Sequence, residues 1–251
     1  MKKILSYSVF ILSIVLFNSC ENEPLTGFDL TDSGTSGTTS GNNGAGSGGT
    51  SSGDYYPRNI GNTWNYSSSA GGTNQNLTSE IVNNFTDTSG NNVYELTQST
   101  LSNGTAAVTT SGFVYKDGGN YYAYSNEIQV DYGGGLTATQ TAIPTYVFLK
   151  DNVAVGTSWN VSFTQVTSFN DPSFPNVALN INYLYEIVGN DLTKTVNGVD
   201  YSPVIEVKLT GGDTTSGQDI NANYFYALDV GLIKIEQNGQ DSSVLDSYTI
   251  N

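Results

Sequence analysis

The sequence has no histidine and only one cysteine, and both shortages exclude chemistry. Hydrolases whose serine or cysteine nucleophile depends on an imidazole base cannot operate without histidine. Zinc sites built from imidazole and thiolate ligands are excluded too, and a single cysteine cannot form an internal disulfide. We therefore expect no cofactor and no catalytic residue. A hydrolase that uses two carboxylates stays open, because it needs neither residue type.

Basic residues are also scarce, with 8 Lys and Arg against 23 Asp and Glu. Lys2 and Lys3 lie in an N-terminal segment that we expect to be removed, which would leave a net charge of −17. Nucleic-acid binding depends on cations that neutralise phosphates, so we expect no nucleic-acid partner. An anionic lipid surface would repel this chain, and any membrane attachment must therefore come from something other than charge.

Residues 1–19 predict a signal peptide. The two lysines precede a mostly apolar run over residues 4–17, which is shorter than the roughly 17–25 residues of a membrane-spanning helix. The run ends at Phe-Asn-Ser-Cys, and Ser19 with Cys20 resembles the lipobox of bacterial lipoproteins. That resemblance implies cleavage before Cys20 and lipid attachment to Cys20. A plain signal peptide followed by a chance cysteine is the alternative.

The same resemblance implies an outer membrane lipoprotein of a Gram-negative bacterium. Residue 21 is Glu, not the aspartate that resembles an inner-membrane retention signal. Glu21 and Glu23 are similar to the acidic tract of some surface-exported lipoproteins, so the periplasmic and cell-surface faces both stay open. Several acyl chains on one residue hold a protein stably, and the membrane is thus the expected partner of Cys20.

Residues 20–53 are expected to form the lipidated N-terminus and a flexible linker. From residue 31 to residue 53, every residue except Ala45 is Gly, Ser, Thr, Asn or Asp. Such a segment has nothing to bury that would offset the entropy of ordering its backbone. It should span roughly 25–30 Å, and residues 54–251 are expected to form one folded domain.

The folded part shows the period-two pattern of β-strands. Apolar residues occupy every second position from Val177 to Ile187, and shorter alternating runs surround Trp159, Ile205 and Ile233. We expect an all-β domain of about twelve antiparallel strands that form a curved sheet or open barrel, with a two-sheet β-sandwich as the alternative. Residues 144–150 are too few for more than one turn of helix.

Four dipeptides predict tight hairpins, because they accept the positive φ angles of two-residue turns. They begin at Asn103, Asp117, Asn197 and Asn238, and each is completed by a glycine.

A short internal echo links the only two tryptophans. The segment 61–66 resembles the segment 156–161, and in each a glycine precedes a tryptophan by three positions. We expect a glycine turn that leads into a strand whose tryptophan fills the core. A duplicated half-domain is compatible with this echo, although the rest of the two halves does not align.

The start of the folded part resembles a group of bacterial secreted or lipoprotein β-domains that open with Pro-x-x-x-Gly-x-x-Trp-x-Tyr. Pro57, Gly61, Trp64 and Tyr66 match that pattern, and residues 226–234 are similar to the group's closing strand pair. The resemblance implies a curved antiparallel sheet and brings no settled activity with it.

Tyrosine is abundant, with 17 residues, and it is clustered. Clusters lie at Tyr55-Tyr56, Tyr121-Tyr122-Ala-Tyr124, Tyr183-Leu-Tyr185 and Tyr224-Phe-Tyr226. One interpretation is strand composition, because tyrosine suits a half-buried pleated surface. The other is an aromatic platform for sugar rings or another apolar face, since one of two adjacent tyrosines should point away from the core.

Acidic loops are the remaining candidates. Asp171, Asp213 and Asp219 lie among Thr, Ser and Gly and offer the oxygen ligands that calcium prefers. No loop has the spacing of an EF-hand, so we expect these residues to be solvated loop acids and expect no metal site. The acids are scattered, and nothing pairs two of them across a cleft. We therefore expect a membrane-anchored, non-enzymatic β-domain that binds an apolar ligand, a glycan or a protein; the alternatives are a purely structural surface or coat protein and a carboxylate-type glycoside hydrolase.

Overall fold

The computed structural model describes residues 51–68, 75–102, 105–131 and 134–251. The predicted signal peptide, Cys20 and all but the last three residues of the predicted linker lie outside them. The described residues form strands joined by turns and loops, and they include no helix long and apolar enough to cross a membrane. The strands are β1 (Thr63–Ser68), β2 (Gln75–Thr86), β3 (Asn92–Ser102), β4 (Thr105–Asp117), β5 (Asn120–Tyr124), β6 (Ile128–Asp131), β7 (Thr137–Gln140), β8 (Tyr146–Lys150), β9 (Ser158–Phe169), β10 (Val177–Val196), β11 (Val199–Asp213), β12 (Gln218–Ala227), β13 (Gly231–Gln237) and β14 (Gln240–Thr249).

All fourteen strands belong to one antiparallel sheet, in the order β6-β7-β9-β10-β11-β12-β13-β14-β1-β2-β3-β4-β5-β8. The predicted single all-β domain with a curved sheet is thereby confirmed, with two strands more than the twelve expected. The two-sheet sandwich is wrong, because the hydrogen-bonded ladder is continuous from β6 to β8.

The sheet curls until strands far apart in its order meet. The rings of Phe148 on β8 and Tyr226 on β12 lie 6.2 Å apart, although seven strands separate β8 from β12 in the sheet. The inner face of the curl holds the apolar half of each alternating run. On β10, for example, Ile181, Tyr183, Tyr185 and Ile187 are buried, whereas the alternating residues Asn180, Asn182 and Leu184 are exposed. The predicted period-two pattern of this strand is therefore confirmed.

Two of the predicted hairpins have the expected turn. Asn197-Gly198 joins the paired residues Val196 and Val199, and Asn238-Gly239 closes β13 and β14 in the same way. All four turn residues have positive φ angles between 47° and 78°. The turn after β4 lies one position later than predicted, at Gly118-Gly119, because Asp117 pairs with Asn120. The Asn103-Gly104 turn lies outside the described residues.

Strand β8, at one end of the sheet, meets β9, the third strand from the other end, along a seam. The chain reaches this seam after β7, which pairs with the end of β9, and then crosses to β8, which pairs with β5. The segment that sequence analysis considered for one helical turn is this strand, β8. Among the described residues no ladder joins β8 to β9. The indole of Trp159 instead donates a hydrogen bond of 2.8 Å to the carbonyl oxygen of Val147.

The glycine–tryptophan echo corresponds to two turns with the same hydrogen bonds. The amides of Gly61 and Gly156, both with φ near 85–88°, donate to the carbonyls of Ile81 and Ile187 at 2.8 and 2.7 Å. Each isoleucine amide then donates to the carbonyl of the residue after the glycine, Asn62 or Thr157. Strands β1 and β9 each begin at the following residue. The repeated sequence therefore encodes a repeated strand start.

The prediction that tryptophan fills the core holds fully for Trp64, which is 1% exposed and donates to the carbonyl of Val230 at 2.6 Å. Trp159 is only partly buried, because it lies on the seam, where it stacks on Tyr185 at 5.5 Å.

Candidate functional site

The inner face of the sheet encloses an aromatic cavity with a volume of about 80 Å³. At about 30 Å³ per water, it could hold roughly three waters. Its lining is aromatic and aliphatic apart from the tyrosine hydroxyls and one glutamine, and it contains no charged side chain. The lining residues are Tyr56, Leu96, Gln98, Val114, Ile143, Tyr146, Phe148, Phe163, Tyr183, Tyr185, Val207, Leu209, Tyr224, Tyr226 and Leu232.

Strand register explains why these residues share one face. Residues that pair directly across a ladder point to the same side of the sheet. Tyr185 of β10 pairs with Leu209 of β11, and Val207 of β11 pairs with Tyr224 of β12. Because side chains alternate with a period of two, these pairs also fix the inward direction of Tyr183 and Tyr226.

The cavity lies against the seam. Ile143, Tyr146 and Phe148 come from the crossing segment and β8, and Phe163 comes from β9 on the other side. The rings of Tyr146 and Phe163 stack across the seam at 6.4 Å. The cavity wall is thus interrupted where the sheet has no ladder, and side chains alone complete it.

The tyrosine hydroxyls are the polar groups of the cavity. Tyr146, Tyr185 and Tyr226 are each less than 9% exposed, and among the described residues their hydroxyls have no hydrogen-bond partner. Burial raises the pKa of all three phenols, and the neighbouring tyrosines raise it further. The hydroxyls therefore keep their protons at neutral pH and remain hydrogen-bond donors.

The sequence left the ligand-binding residues unknown, but its tyrosine clusters supply five of the six tyrosines of this site. Of the predicted tyrosine clusters, Tyr56, Tyr183, Tyr185, Tyr224 and Tyr226 line the cavity. Tyr55, Tyr121, Tyr122 and Tyr124 lie elsewhere. Tyr146 was missed, although the alternation of Tyr146 and Phe148 on a short strand is the signal that could have found it.

The expectation that one of two adjacent tyrosines lies outside the core holds on β5, although both rings are buried there, and is wrong at Tyr55 and Tyr56. Tyr121 and Tyr122 do point to opposite faces of β5, yet they are 0% and 7% exposed. Tyr122 is covered on the outer face, where its ring stacks on Tyr115 at 4.6 Å. Tyr55 and Tyr56 precede β1 and are both buried, because this segment enters the curl of the sheet.

A second aromatic group, the outer aromatic strip, lies on the outer face of β2 to β5. Its members are Phe85, Phe113, Tyr115, Tyr122 and Tyr124, which ladder pairs place on one side of the sheet. Phe113 stacks on Tyr124 at 5.0 Å and meets Phe85 edge-on at 5.8 Å. Burial, Tyr122 and two nearby carboxylates raise the pKa of Tyr115 to about 12.

Two glutamates line an open polar depression on the outer face, beside Lys208, Asn221 and Asn223. Burial and the charge of Glu236 raise the pKa of Glu206. Burial opposes ionisation of Glu236 as well, but hydrogen bonds from Lys194 and Lys234, both 2.9 Å long, lower its pKa overall. Glu236 is thus already held by two cations.

The acidic candidates for calcium lie apart and have structural partners. The Asp213 carboxylate accepts backbone amides of Asn180, Thr215 and Ser216 at 2.8–3.0 Å. Asp171 accepts the amide of Ser173 at 2.8 Å, and Asp219 is exposed. In the described ranges no three acidic, histidine or cysteine residues come together as metal ligands.

The last residues of the predicted linker are bound to the domain by a buried polar cluster. The ammonium of Lys116 contacts Asp151 at 2.8 Å and the hydroxyl of Tyr121 at 2.7 Å. Ser51 donates to the same Asp151 carboxylate at 2.7 Å, and Ser52 donates to its backbone carbonyl at 2.6 Å. The chain is therefore fixed to the folded part from residue 51 onward, and Cys20 lies outside the described residues.

Comparisons with known proteins give the fold and no activity. No protein-family model matches the sequence, and no curated protein matches it. A crystal structure of a protein assigned as a lipoprotein, from Parabacteroides distasonis ATCC 8503, is similar with a TM-score of 0.50 and 12% identity, over 78% of this chain and 99% of that chain. A crystal structure of a protein assigned as exported, with a YmcC-like fold, from Bacteroides fragilis NCTC 9343 gives a TM-score of 0.48 and 11% identity over the same shares. The chain thus has the fold of the first protein.

Proposed function

We propose that this protein is an outer membrane lipoprotein that binds a small ligand without catalysis. Lipid on Cys20 would anchor it, and the β-domain would be held off the bilayer, on the periplasmic or the cell-surface side. The ligand would occupy the aromatic cavity.

Two independent observations support the anchor. The N-terminal segment resembles a lipobox at Ser19 and Cys20, and the similar structure from Parabacteroides distasonis is assigned as a lipoprotein. The net charge of −17 in the processed chain disfavours attachment to anionic lipid by charge alone.

The absence of catalysis is supported by the chemistry of the side chains. Histidine is missing from the whole sequence, and the cavity lining has no ionisable group other than phenols that stay protonated. The glutamates of the outer depression give a hydrolase little support, because Lys194 and Lys234 already hold Glu236.

The observation that carries the binding role is the cavity itself. Protein interiors are close-packed, and voids larger than a water are few. A volume of about 80 Å³ lined by six tyrosines and two phenylalanines is a cost to stability unless something fills it. A purely structural spacer or coat protein would have no use for such a space.

The test is to fill the cavity. In the Cys20→Ala form of the chain, which keeps the whole folded part, saturation-transfer NMR would measure binding of cyclohexanone and methylcyclohexane. Val207→Phe places a ring in the cavity and is expected to abolish both signals. Val204→Phe, at an equally buried position that does not line the cavity, is the control for overpacking. Binding that survives Val207→Phe unchanged, or absent from the parent, would contradict the proposal.

Glycan binding on the outer aromatic strip is the second candidate. Phe113 stacks on Tyr124 and Tyr115 stacks on Tyr122. The amide of Asn120, which donates to the hydroxyl of Tyr122 at 3.3 Å, and the carboxylates near Tyr115 lie beside these rings. Pyranose rings combine an apolar face with a hydroxyl edge, which suits this surface. Calorimetry with cellohexaose and chitohexaose should then show binding that Phe113→Ala weakens and Val207→Phe leaves unchanged.

A further inference from the structure

The hydroxyls in the aromatic cavity indicate what a ligand must offer, and this inference rests on the proposed function. Tyr146, Tyr185 and Tyr226 belong to three different strands, and all three are more than nine-tenths buried. Their hydroxyls have no hydrogen-bond partner among the described residues. Unlike the fully buried unpaired atoms of Asn62 and Ser243, the three hydroxyl oxygens keep some accessible surface, so each can pair with a molecule in the cavity.

These hydroxyls can serve only as uncharged donors or acceptors. The raised pKa values, caused by burial and by the other phenols, keep all three protonated at neutral pH. A protonated phenol has one hydrogen to donate. Three such hydrogens around one space are best satisfied by acceptor oxygens.

Charge on the ligand is disfavoured for a separate reason. The lining holds no cationic or anionic side chain. An ion in the cavity would therefore be desolvated without a counter-charge, which is costly.

We infer that the aromatic cavity takes an uncharged ring compound, or the ring end of a larger molecule, that presents acceptor oxygens to the hydroxyls of Tyr146, Tyr185 and Tyr226. The volume of about 80 Å³ limits the buried part to roughly three water-sized groups at about 30 Å³ each, so the cavity encloses only part of a ring. Aromatic and aliphatic walls hold the ring, and the three hydroxyls select its oxygen.

Three probes of similar size test the two requirements of this inference separately, namely an acceptor oxygen and the absence of charge. In the Cys20→Ala chain at pH 7.5, saturation-transfer NMR would compare cyclohexanone, methylcyclohexane and cyclohexanecarboxylate. Cyclohexanone is expected to bind about tenfold more tightly than methylcyclohexane, since one or two hydrogen bonds are worth about that factor. Cyclohexanecarboxylate is expected to bind most weakly.

Tyrosine-to-phenylalanine variants show which hydroxyls bind the ligand oxygen. Tyr185→Phe and Tyr226→Phe each remove a hydroxyl and keep the ring, and each should weaken cyclohexanone about 3- to 10-fold. Methylcyclohexane should bind to them as it does to the parent. Tyr115→Phe removes a hydroxyl from the outer aromatic strip and should change neither, and circular dichroism would confirm that every variant is folded.

The outcomes separate this inference from the proposed function. If methylcyclohexane binds as tightly as cyclohexanone, the ligand needs no acceptor oxygen, and the proposal of ligand binding still stands. If cyclohexanecarboxylate binds most tightly, the requirement for an uncharged ligand is wrong. If no probe binds, the cavity holds only water and both proposals fail.

Discussion

At the scale of single residues, the buried Lys116–Asp151 ion pair is the interaction whose disruption we expect to lower stability most. The Asp151 side chain is 0% exposed and that of Lys116 12% exposed. Taking two charges out of water is costly, and removing one of them leaves the other buried and uncompensated. The pair therefore stabilises the fold only as a unit.

We expect Lys116→Met to lower the free energy of unfolding by about 3–5 kcal/mol, because Asp151 stays buried without its cation. Urea unfolding followed by circular dichroism measures this. The double variant Lys116→Met, Asp151→Asn should recover much of the loss. Lys234→Met is the control and should cost less than Lys116→Met, since Glu236 is less buried than Asp151 and keeps its bond to Lys194. A Lys116→Met loss no larger than the control would show that the cluster is not buried as described.

Asp213 provides a pH-dependent prediction. Burial raises its pKa, but hydrogen bonds from Ser216, Thr215 and Asn180 outweigh burial and lower it overall. A carboxyl whose folded-state pKa is depressed stabilises the fold above its unfolded pKa of about 3.9, and that stabilisation is lost as the pH falls through the folded-state value.

Asp213→Asn should therefore be less stable than the parent at pH 7, and the gap should narrow as the pH falls below about 4. Thermal unfolding at pH 7, 4 and 2.5 would measure the gap. Asp219→Asn, an exposed neighbour in the same turn region, controls for the removal of one negative charge. A gap that stays constant from pH 7 to pH 2.5 would contradict the assignment.

At the scale of elements, the two glycine turns have the same local geometry in different surroundings. Both need a positive φ, 85° at Gly61 and 88° at Gly156. A Cβ on Gly156 would meet nothing within 4 Å, whereas one on Gly61 would lie 2.8 Å from the side-chain nitrogen of Asn251. Backbone strain is thus the only cost at Gly156, and a flexible side chain must also move at Gly61.

Gly156→Ala is expected to lower stability by about 1–2 kcal/mol, the cost of a left-handed conformation for a residue with a Cβ. Gly61→Ala should cost the same or slightly more. Ser158→Ala, at an exposed position that begins β9, should stay within about 0.5 kcal/mol of the parent. Urea unfolding of the three variants checks this, and a Gly156→Ala variant as stable as Ser158→Ala would refute the strain argument.

The sequence alone predicts the strands and turns that depend on local residue patterns. Alternation alone predicts β9 and β10, and Asn-Gly chemistry predicts the turn at Asn197. The strand β8 was not recognised, because five residues carry too short a pattern. The cavity could not be placed either, since Tyr146 and Tyr226 approach each other only through the curl of the sheet, which depends on contacts between strands distant in sequence.

At the scale of the whole molecule, attachment and binding are assigned to separate parts of the chain. The aromatic cavity draws its lining from residues 56–232, whereas the predicted anchor is Cys20. The polar cluster around Asp151 fixes the chain from Ser51 onward. Removal of the lipid should therefore leave the folded part unchanged.

We expect Cys20→Ala to release the protein from membranes, because the predicted acyl chains would have no attachment point. Membrane fractions washed at high salt and probed by immunoblotting would measure this, since salt removes proteins held by charge alone. Asn22→Ala, just outside the resemblance to the lipobox, is the matched control and should stay bound. Continued membrane association of Cys20→Ala would overturn the proposed anchor.

The repeated glycine turns also begin two equal runs that comprise twelve of the fourteen strands, β1 to β5 with β8, and β9 to β14, while β6 and β7 lie outside both runs. Each run has six adjacent strands, so the strand order has an approximate twofold symmetry with two junctions. At one junction β14 and β1 pair over six positions, from Thr63 with Thr249 to Ser68 with Ser243. At the other, the indole bond from Trp159 to Val147 takes the place of a ladder. The symmetry is broken at the β8–β9 junction, which borders the cavity. The candidate site therefore lies at the junction that backbone pairing holds less firmly.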